Sequence, residues 1–295
     1  MKRLLIIGAA CVLVLVAGVA TLLLMRTRTQ DRRVLRVTDV EGITTDVHQP
    51  LATRYLSGTC SSDACPYEEV GGLRIENGPG GAPADILWSQ FASVVFVPPE
   101  GAGNGAHPNP VALITLRDGT TRKASVSSYE LNGTAEFAKY SVSIGDLKSI
   151  IVAEDGEPPA LPELGYSQDK LRITQANGTT QTWDASADTA YPTVVGGTIY
   201  LDSANDARDG IRLRRGKASF DINWASLKEA DVSAGNGASG QPILRVTCVF
   251  ANGQSSDFTV DPAPGPRIRQ QLPGNDRYNE LKLEDVRRIV VTPGP

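Results

Sequence analysis

Apolar residues recur in the same frame at four places along the chain. In DILWSQFASVVF, at 85–96, they follow one another at spacings of two, three and three residues: Ile86, Trp88, Phe91 and Val94. A spacing of two is typical of a strand with one buried face, whereas the two steps of three fit one short turn of α- or 3₁₀-helix. The frame recurs in SVSIGDLKSIIV at 141–152, DINWASLKEADV at 221–232 and ELKLEDVRRIVV at 280–291. The pattern therefore predicts strand, helical turn and strand in all four segments.

A strand–turn pair precedes each of these frames. The turns contain glycine after an acidic or amide residue: Gly42, Gly119, Gly178 and Gly253. Asp-Gly and Asn-Gly between runs of β-forming residues are strong hairpin signals, because a type I′ turn needs positive φ at both central residues. A tight hairpin is therefore predicted before each strand–turn–strand segment.

The chain also contains an internal duplication. DILWSQFASVVF and DINWASLKEADV are separated by 136 residues, and so are the turn glycines Gly42 and Gly178. Each copy is itself divided, which gives four related units, numbered 1 to 4, that begin near residues 34, 111, 170 and 243.

One position of the frame differs between the odd-numbered and the even-numbered units. Units 1 and 3 place Trp88 and Trp224 where units 2 and 4 have Ile144 and Leu283. An exposed tryptophan could stack against a sugar, but replacement by aliphatic residues at the equivalent positions favours packing. All four side chains are therefore predicted to lie in the core.

The order of elements resembles that of known small barrels. A strand, one helical turn and a second strand join the last two strands of small SH3-like and Sm-like barrels, and the four segments are similar to that arrangement. The resemblance implies an all-β fold of four related SH3-like barrels or half-sandwiches, placed after one N-terminal transmembrane helix. It implies no function, because such folds serve many functions.

The predicted domain organisation follows from unit size. Units of about 45–60 residues are marginally stable alone, so we expect them to pack in pairs. Module 1 comprises units 1 and 2 at 34–155, and module 2 comprises units 3 and 4 at 168–292. The stretch at 156–167 is rich in proline and predicts an extended linker, and residues 1–33 form a membrane segment.

Residues 4–25 are apolar and uncharged. At about 1.5 Å per residue they reach roughly 33 Å, which is enough to cross a bilayer core. This stretch exceeds the usual apolar region of a signal peptide, which favours an uncleaved signal anchor over secretion after cleavage. The bulk of the chain is expected to be extracytoplasmic, although arginines on the C-terminal side of the stretch leave the membrane topology open.

The charge distribution argues against a nucleic-acid partner. The chain has 29 Lys and Arg and 33 Asp and Glu, of which six basic residues and one acidic residue precede Val34. The remainder therefore carries a formal charge of −9. General binding to nucleic acid depends on a basic surface, which this part of the chain lacks.

The cysteines outside the membrane segment have different contexts. Cys60 and Cys65 bracket the short segment CSSDAC, for which a local disulfide is the simplest interpretation in an oxidising compartment. A zinc site would need two further ligands, and His48 is the histidine nearby. Cys248 lies in the alternating run ILRVTCVF and is predicted to be a buried apolar residue.

A loop at 202–210 is the weak candidate for a metal site. Asp202, Asp206 and Asp209 offer oxygen ligands that suit calcium, but their spacing differs from that of an EF-hand loop. A solvated acidic loop is the alternative interpretation. No cofactor and no catalytic residue is predicted.

Other polar and aromatic residues receive structural interpretations. His48 and His107 are expected in exposed loops. Trp183, with Tyr191 nearby, is a candidate for an exposed contact, but packing is the favoured interpretation. The AGNGA segments at 102–106 and 234–238 could form anion-binding nests, but flexible connections explain them better.

These observations support three hypotheses about function. The first is a non-enzymatic, membrane-anchored extracytoplasmic protein that binds a protein partner, self-associates or acts as a scaffold at the cell envelope. The second is an ectodomain that binds carbohydrate or calcium, through the acidic loop or a cleft between units. The third is a hydrolase that uses paired carboxylates, which depend on a separation in space that sequence does not reveal.

Overall fold

A computed structural model describes residues 33–55, 67–76, 82–97, 110–155, 169–195, 198–201, 209–237, 239–260, 265–272, 274 and 277–294. The predicted membrane segment, its signal-anchor residues and the proline-rich linker lie outside these residues. The described chain is all-β, and its sheets are open rather than closed into barrels. The all-β prediction is therefore confirmed.

The strands follow the four units in order. Unit 1 contains β1 Arg33–Asp39, β2 Thr44–Tyr55, β3 Tyr67–Val70, β4 Gly72–Ile75, β5 Ala84–Leu87 and β6 Phe91–Val97. Unit 2 contains β7 Val111–Leu116, β8 Thr121–Ser125, β9 Glu130–Ala135, β10 Ala138–Ser143 and β11 Leu147–Asp155. Unit 3 contains β12 Lys170–Gln175, β13 Thr180–Asp184, β14 Asp188–Ala190, β15 Pro192–Val195, β16 Thr198–Leu201, β17 Gly210–Arg215, β18 Ala218–Asn223 and β19 Leu227–Asn236. Unit 4 contains β20 Pro242–Phe250, β21 Ser255–Val260, β22 Arg267–Gln271, β23 Tyr278–Lys282 and β24 Val286–Thr292.

Each frame forms a strand, a 3₁₀ turn and a strand, as its apolar spacing predicts. The turns are Trp88–Gln90, Ile144–Asp146, Trp224–Ser226 and Leu283–Asp285. The first residue of every turn donates its backbone N–H to a carbonyl of the same unit, at 2.9 Å. The accepting residue stands immediately before an earlier strand of that unit. The acceptors are Gly71, Tyr129, Asp209 and Pro266. The four units thus share a backbone contact as well as a sequence pattern.

The hairpin glycines adopt positive φ, but the predicted turn type is wrong. Gly119 has a φ of 84°, whereas Asp118 before it does not have positive φ, so the turn is not type I′. Gly119 N–H donates to Leu116 O, and Leu116 N–H donates to Thr120 O, which is the pattern of a three-residue loop with a type I turn and a glycine bulge. The Asp118 side chain accepts from Thr120 N–H at 2.8 Å, which explains why an acidic or amide residue precedes the glycine.

The units are interlocked in pairs. β1 of unit 1 pairs with β11 of unit 2, whereas β7 of unit 2 pairs with β6 of unit 1. β11 and β6 also pair with each other, so one sheet runs in the order β2-β1-β11-β6-β7-β8. Units 3 and 4 repeat this order as β13-β12-β24-β19-β20-β21.

Backbone hydrogen bonds at the hairpins support the same exchange. In the first hairpin of each unit, the second residue of the turn donates its backbone N–H to a carbonyl of the neighbouring unit, at 2.8–2.9 Å. That carbonyl belongs to the last residue of the neighbouring unit's 3₁₀ turn. These bonds join Val40 to Asp146, Arg117 to Gln90, Ala176 to Asp285 and Ala251 to Ser226. Each hairpin is therefore hydrogen-bonded to the 3₁₀ turn of the neighbouring unit rather than to that of its own unit.

A strand pair also joins the two predicted modules. β10 of unit 2 pairs with β18 of unit 3 in antiparallel register, with Tyr140 opposite Phe220. The two rings meet edge to face with centroids 5.5 Å apart. The described residues from 33 onward form one compact body, and its hydrophobic core runs through both modules.

The four residues at the first position of the 3₁₀ turns are completely buried. Trp88, Trp224, Ile144 and Leu283 each have 0% relative exposure. Each indole N–H donates to a backbone carbonyl, from Trp88 to Pro50 at 2.8 Å and from Trp224 to Ala187 at 2.7 Å. The tryptophans therefore combine a large apolar contact with a satisfied polar group, while the aliphatic counterparts need no acceptor.

Candidate functional site

The predicted metal and disulfide residues fall mostly outside the described residues. Cys60, Cys65, Asp202 and Asp206 all lie there, and so do His107 and the segment 102–106. Asp209 is described: its backbone N–H donates to Asp188 Oδ1 at 3.2 Å, and its carbonyl accepts from the 3₁₀ turn of unit 3. Within the described ranges, no group of three or more His, Cys, Asp or Glu side chains could hold a metal ion.

The structure contradicts two of the remaining sequence-based interpretations and agrees with a third. His48 lies in strand β2 and is half-buried, not in an exposed loop. Residues 234–236 continue strand β19 against β20, so the prediction of a flexible connection is wrong there. Trp183 is only 5% exposed, and its indole N–H donates to Gln181 Oε1 at 2.9 Å, which agrees with the favoured packing interpretation.

Buried titratable groups outside any cleft are structural. Cys248 is a free, buried thiol, as its alternating context predicts, and burial raises its pKa to about 12. Burial also raises the pKa of the hydroxyl of Tyr191, which donates to the carbonyl of Arg212. Both groups stay protonated at neutral pH, and Cys248 belongs to the hydrophobic core.

An open cleft of about 800 Å³ lies where the four units meet. Unit 1 contributes most of its walls and each of the other units contributes one or two residues. The lining residues are Gly42, Ile43, Thr44, Thr45, Asp46, His48, Glu136, Phe137, Arg215 and Gln254. Their positions along the chain span more than two hundred residues, so the sequence pattern alone could not group them.

An ion pair between modules closes one side of this cleft. Arg215 Nη1 donates to Glu136 Oε1 at 2.6 Å, and the Ser256 hydroxyl donates to Glu136 Oε2 at 2.7 Å. The Arg215 guanidinium also lies over the ring of Phe220, 4.8 Å from its centroid. These contacts fix Glu136 and Arg215 in place, although each side chain keeps part of its surface exposed.

Glu136 has an unusual backbone conformation. Its φ is +54° at the turn between β9 and β10, where the equivalent turn between β17 and β18 has Gly216 at +62°. A residue with a Cβ in the left-handed region costs on the order of 1 kcal/mol relative to glycine. Unit 2 therefore keeps a strained residue at the position that brings a carboxylate to the cleft.

A second junction between modules lies beside Gly216. The Asp39 carboxylate is 3% exposed and accepts from the backbone N–H groups of Glu41, Ile43 and Lys217, at 2.8–3.0 Å. A Cβ on Gly216 would lie 2.1 Å from Asp39 Oδ2, so the close approach requires glycine. This junction fixes the β1–β2 hairpin, which carries much of the cleft wall.

Two residues of the cleft wall also carry a buried polar atom that lacks a partner. Among the described residues, His48 Nδ1 and Arg215 Nε are buried without a hydrogen bond, as are Arg54 Nε and Ser226 Oγ on residues that do not line the cleft. A buried polar atom left unpaired costs about 1–3 kcal/mol, so such atoms are rare in native structures. His48 and Arg215 occur in the same group of residues as the strained Glu136.

A second surface feature lies on the outer face of the module 1 sheet. Val95, Leu113 and Ile151 lie on β6, β7 and β11 and are 46%, 41% and 50% exposed. Val95 is directly opposite Leu113, and Ile151 is on the next rung, opposite Ser93. We call this surface face 1.

The equivalent surface in module 2, face 2, consists of Asp231, Thr247 and Val290 on β19, β20 and β24. Arg288 forms ion pairs with Glu229 and Asp231 across it, and the Thr247 hydroxyl donates to Asp257 at 2.7 Å. Charged and hydroxyl side chains therefore replace Val95 and Leu113 on face 2, while Val290 keeps an apolar residue at the position of Ile151.

Sequence reasoning missed face 1, although a signal exists. The strand FASVVFV has apolar residues on both faces, while LKEADVSA at the equivalent position alternates more regularly. An apolar run without alternation indicates a strand covered on both faces.

Searches against protein-family models, curated proteins and solved structures found no match to this chain. No helix among the described residues is long and apolar enough to cross a membrane.

Proposed function

We propose that this chain is a membrane-anchored extracytoplasmic protein that binds a protein partner through face 1. The apolar stretch at 4–25 supports the anchor, because its length suits a bilayer core. Face 1 is the single observation that carries the binding proposal. Exposed apolar side chains that adjoin one another on a rigid sheet mark interaction surfaces more often than isolated ones.

The duplication makes face 1 informative. Modules 1 and 2 share strand order and register, so folding does not require apolar residues at the positions of Val95 and Leu113. Module 2 folds with Asp231 and Thr247 there instead. The apolar residues of face 1 therefore need a reason other than the sheet, and contact with a partner supplies one.

The rim of face 1 suggests the partner's chemistry. Lys123 is exposed opposite Leu113, whereas Asp257 occupies the equivalent position opposite Thr247. A partner surface with an apolar centre and an acidic rim complements face 1 and is repelled by face 2. Such rim charges contribute mainly to selectivity and association rate.

Crosslinking in cells tests this proposal. A photoreactive phenylalanine analogue in place of Ile151 should give a specific adduct, while the same analogue in place of Val290 on face 2 should give none. The double substitution Val95→Asp with Leu113→Thr gives face 1 the residues that face 2 has at these positions. It should reduce the adduct at residue 151 by on the order of tenfold. The fold should be unaffected, because both side chains are exposed.

Controls separate binding from folding and from topology. Leu87 is also exposed, at 49%, but lies on β5 away from face 1, so Leu87→Thr should leave the adduct unchanged. Equal adducts at 151 and 290, or an adduct insensitive to the face exchange, would contradict the proposal. An adduct between two copies of the chain would identify self-association as the interaction. Protease access in spheroplasts tests the extracytoplasmic placement.

A further inference from the structure

We infer that the cleft where the four units meet binds a neutral, polyhydroxylated ligand such as an oligosaccharide. This site uses different residues from face 1, so the inference goes beyond the proposed protein contact. Its size suits a small ligand, since about 800 Å³ falls within the range of about 300–1,000 Å³ that such sites occupy.

The charge balance of the cleft favours a neutral ligand. Its two carboxylates are already paired: Arg36 donates to both oxygens of Asp46 at 2.9 and 3.2 Å, and Arg215 donates to Glu136. Paired carboxylates have little net charge to offer an ion, but they keep lone pairs that accept hydrogen bonds. A charged ligand would therefore gain little electrostatic attraction from either pair.

The polar groups of the cleft match hydroxyls. The Gln254 side chain is exposed and makes no hydrogen bond to a described residue, so its amide can both donate and accept. The Thr44 hydroxyl shares one hydrogen bond with Thr38 at 3.0 Å and keeps further capacity. Sugar hydroxyls also donate and accept, so they can satisfy mixed groups of this kind.

An aromatic ring gives the cleft an apolar wall. Phe137 is half-buried and lines the cleft, while its ring packs against Phe250 with centroids 5.3 Å apart. The packing holds the ring in a fixed orientation. A rigid apolar surface beside hydrogen-bonding groups suits a ligand with one apolar ring face and polar edges.

The energetic features of the cleft agree with a binding role. Glu136, which lines the cleft, holds a left-handed conformation. Strain that the surrounding structure maintains is concentrated at functional sites in proteins. The hairpin that carries His48 also has Gln49 at a φ of +50°, which adds to the strained residues at this place.

The test uses saturation-transfer NMR on the full-length chain in a detergent without a sugar headgroup. The probes are maltotriose, chitotriose and trialanine, of which the first two are neutral sugars and the third has charged termini. We expect transfer to at least one trisaccharide and none to trialanine. Gln254→Ala and Asp46→Asn should each raise Kd by about three- to tenfold, the effect of losing one hydrogen-bond partner.

A matched control keeps the result interpretable. Thr120 occupies the position in the β7–β8 hairpin that Gln254 occupies in the β20–β21 hairpin, and it lies outside the cleft. Thr120→Ala should leave the transfer unchanged. Transfer to neither sugar, transfer to trialanine instead, or transfer that both cleft variants leave intact would overturn the inference.

Discussion

Faces 1 and 2 lie on equivalent strands but carry different side chains. Val95 on face 1 corresponds to Asp231 on face 2, and Leu113 corresponds to Thr247. The buried positions between them changed far less: Val94 corresponds to Ala230 and Ile114 to Cys248, and all four are completely buried. The duplication therefore separates residues that the fold requires from residues that only one module carries.

The two modules also agree at a position where the neighbouring backbone leaves room only for glycine. Gly72 and Gly210 stand at equivalent places, and a Cβ on either would lie 2.1–2.3 Å from a backbone carbonyl of the paired strand. Both modules keep glycine there, as both keep tryptophan at the 3₁₀ turn. Such agreement within the frame makes the difference between the faces meaningful, because the buried positions keep small or apolar residues while the exposed ones change from apolar to polar.

The largest expected effect comes from the shared core. Trp88→Ala should lower the free energy of unfolding by about 4 kcal/mol, from the lost ring contacts and the cavity that remains. Trp224→Ala should have a similar effect, since the two side chains have the same burial and the same kind of hydrogen bond. Urea unfolding followed by tryptophan fluorescence and circular dichroism measures both.

The two variants also test whether the modules unfold together. Because β10 pairs with β18 and the core is continuous, each variant should give a single cooperative transition. Two separate transitions, with only one shifted by Trp88→Ala, would show that the modules are independent. A variant that keeps full stability but loses a ligand would contradict the core assignment of Trp88.

A smaller effect is expected at the junction between modules. Gly216→Ala should destabilise the protein by about 2 kcal/mol, because the new Cβ would strike the Asp39 carboxylate in addition to straining a positive φ. Gly178 has a φ of +88° but open space around it, so Gly178→Ala should cost about 1 kcal/mol from backbone strain alone. Equal losses of stability in thermal melts would show that the Asp39 contact contributes nothing.

The sequence predicts the local elements of this fold well and the long-range ones poorly. Apolar spacing identifies the 3₁₀ turns, and Asp118-Gly119 identifies a hairpin, because both depend on residues close in the chain. The exchange of β6 and β11 between units is not visible, because a strand has the same alternation whichever first strand it pairs with. The cleft is hidden because it also depends on long-range contacts: β2 pairs with β9, which brings His48 near Glu136, and the Ser256 hydroxyl of unit 4 donates to Glu136.

The smallest expected effect lies on face 2. Arg288 is about half exposed and pairs with Glu229 and Asp231, so Arg288→Ala should lower stability only slightly. Exposed ion pairs are screened by salt, so the difference from the parent protein should shrink between low and high ionic strength. A large loss that salt does not change would show that the ion pairs hold module 2 together, and face 2 could then no longer serve as a neutral reference for face 1. Denaturant unfolding at two salt concentrations distinguishes the outcomes, and a small, salt-sensitive loss would support the proposal that face 1 differs because it contacts a partner.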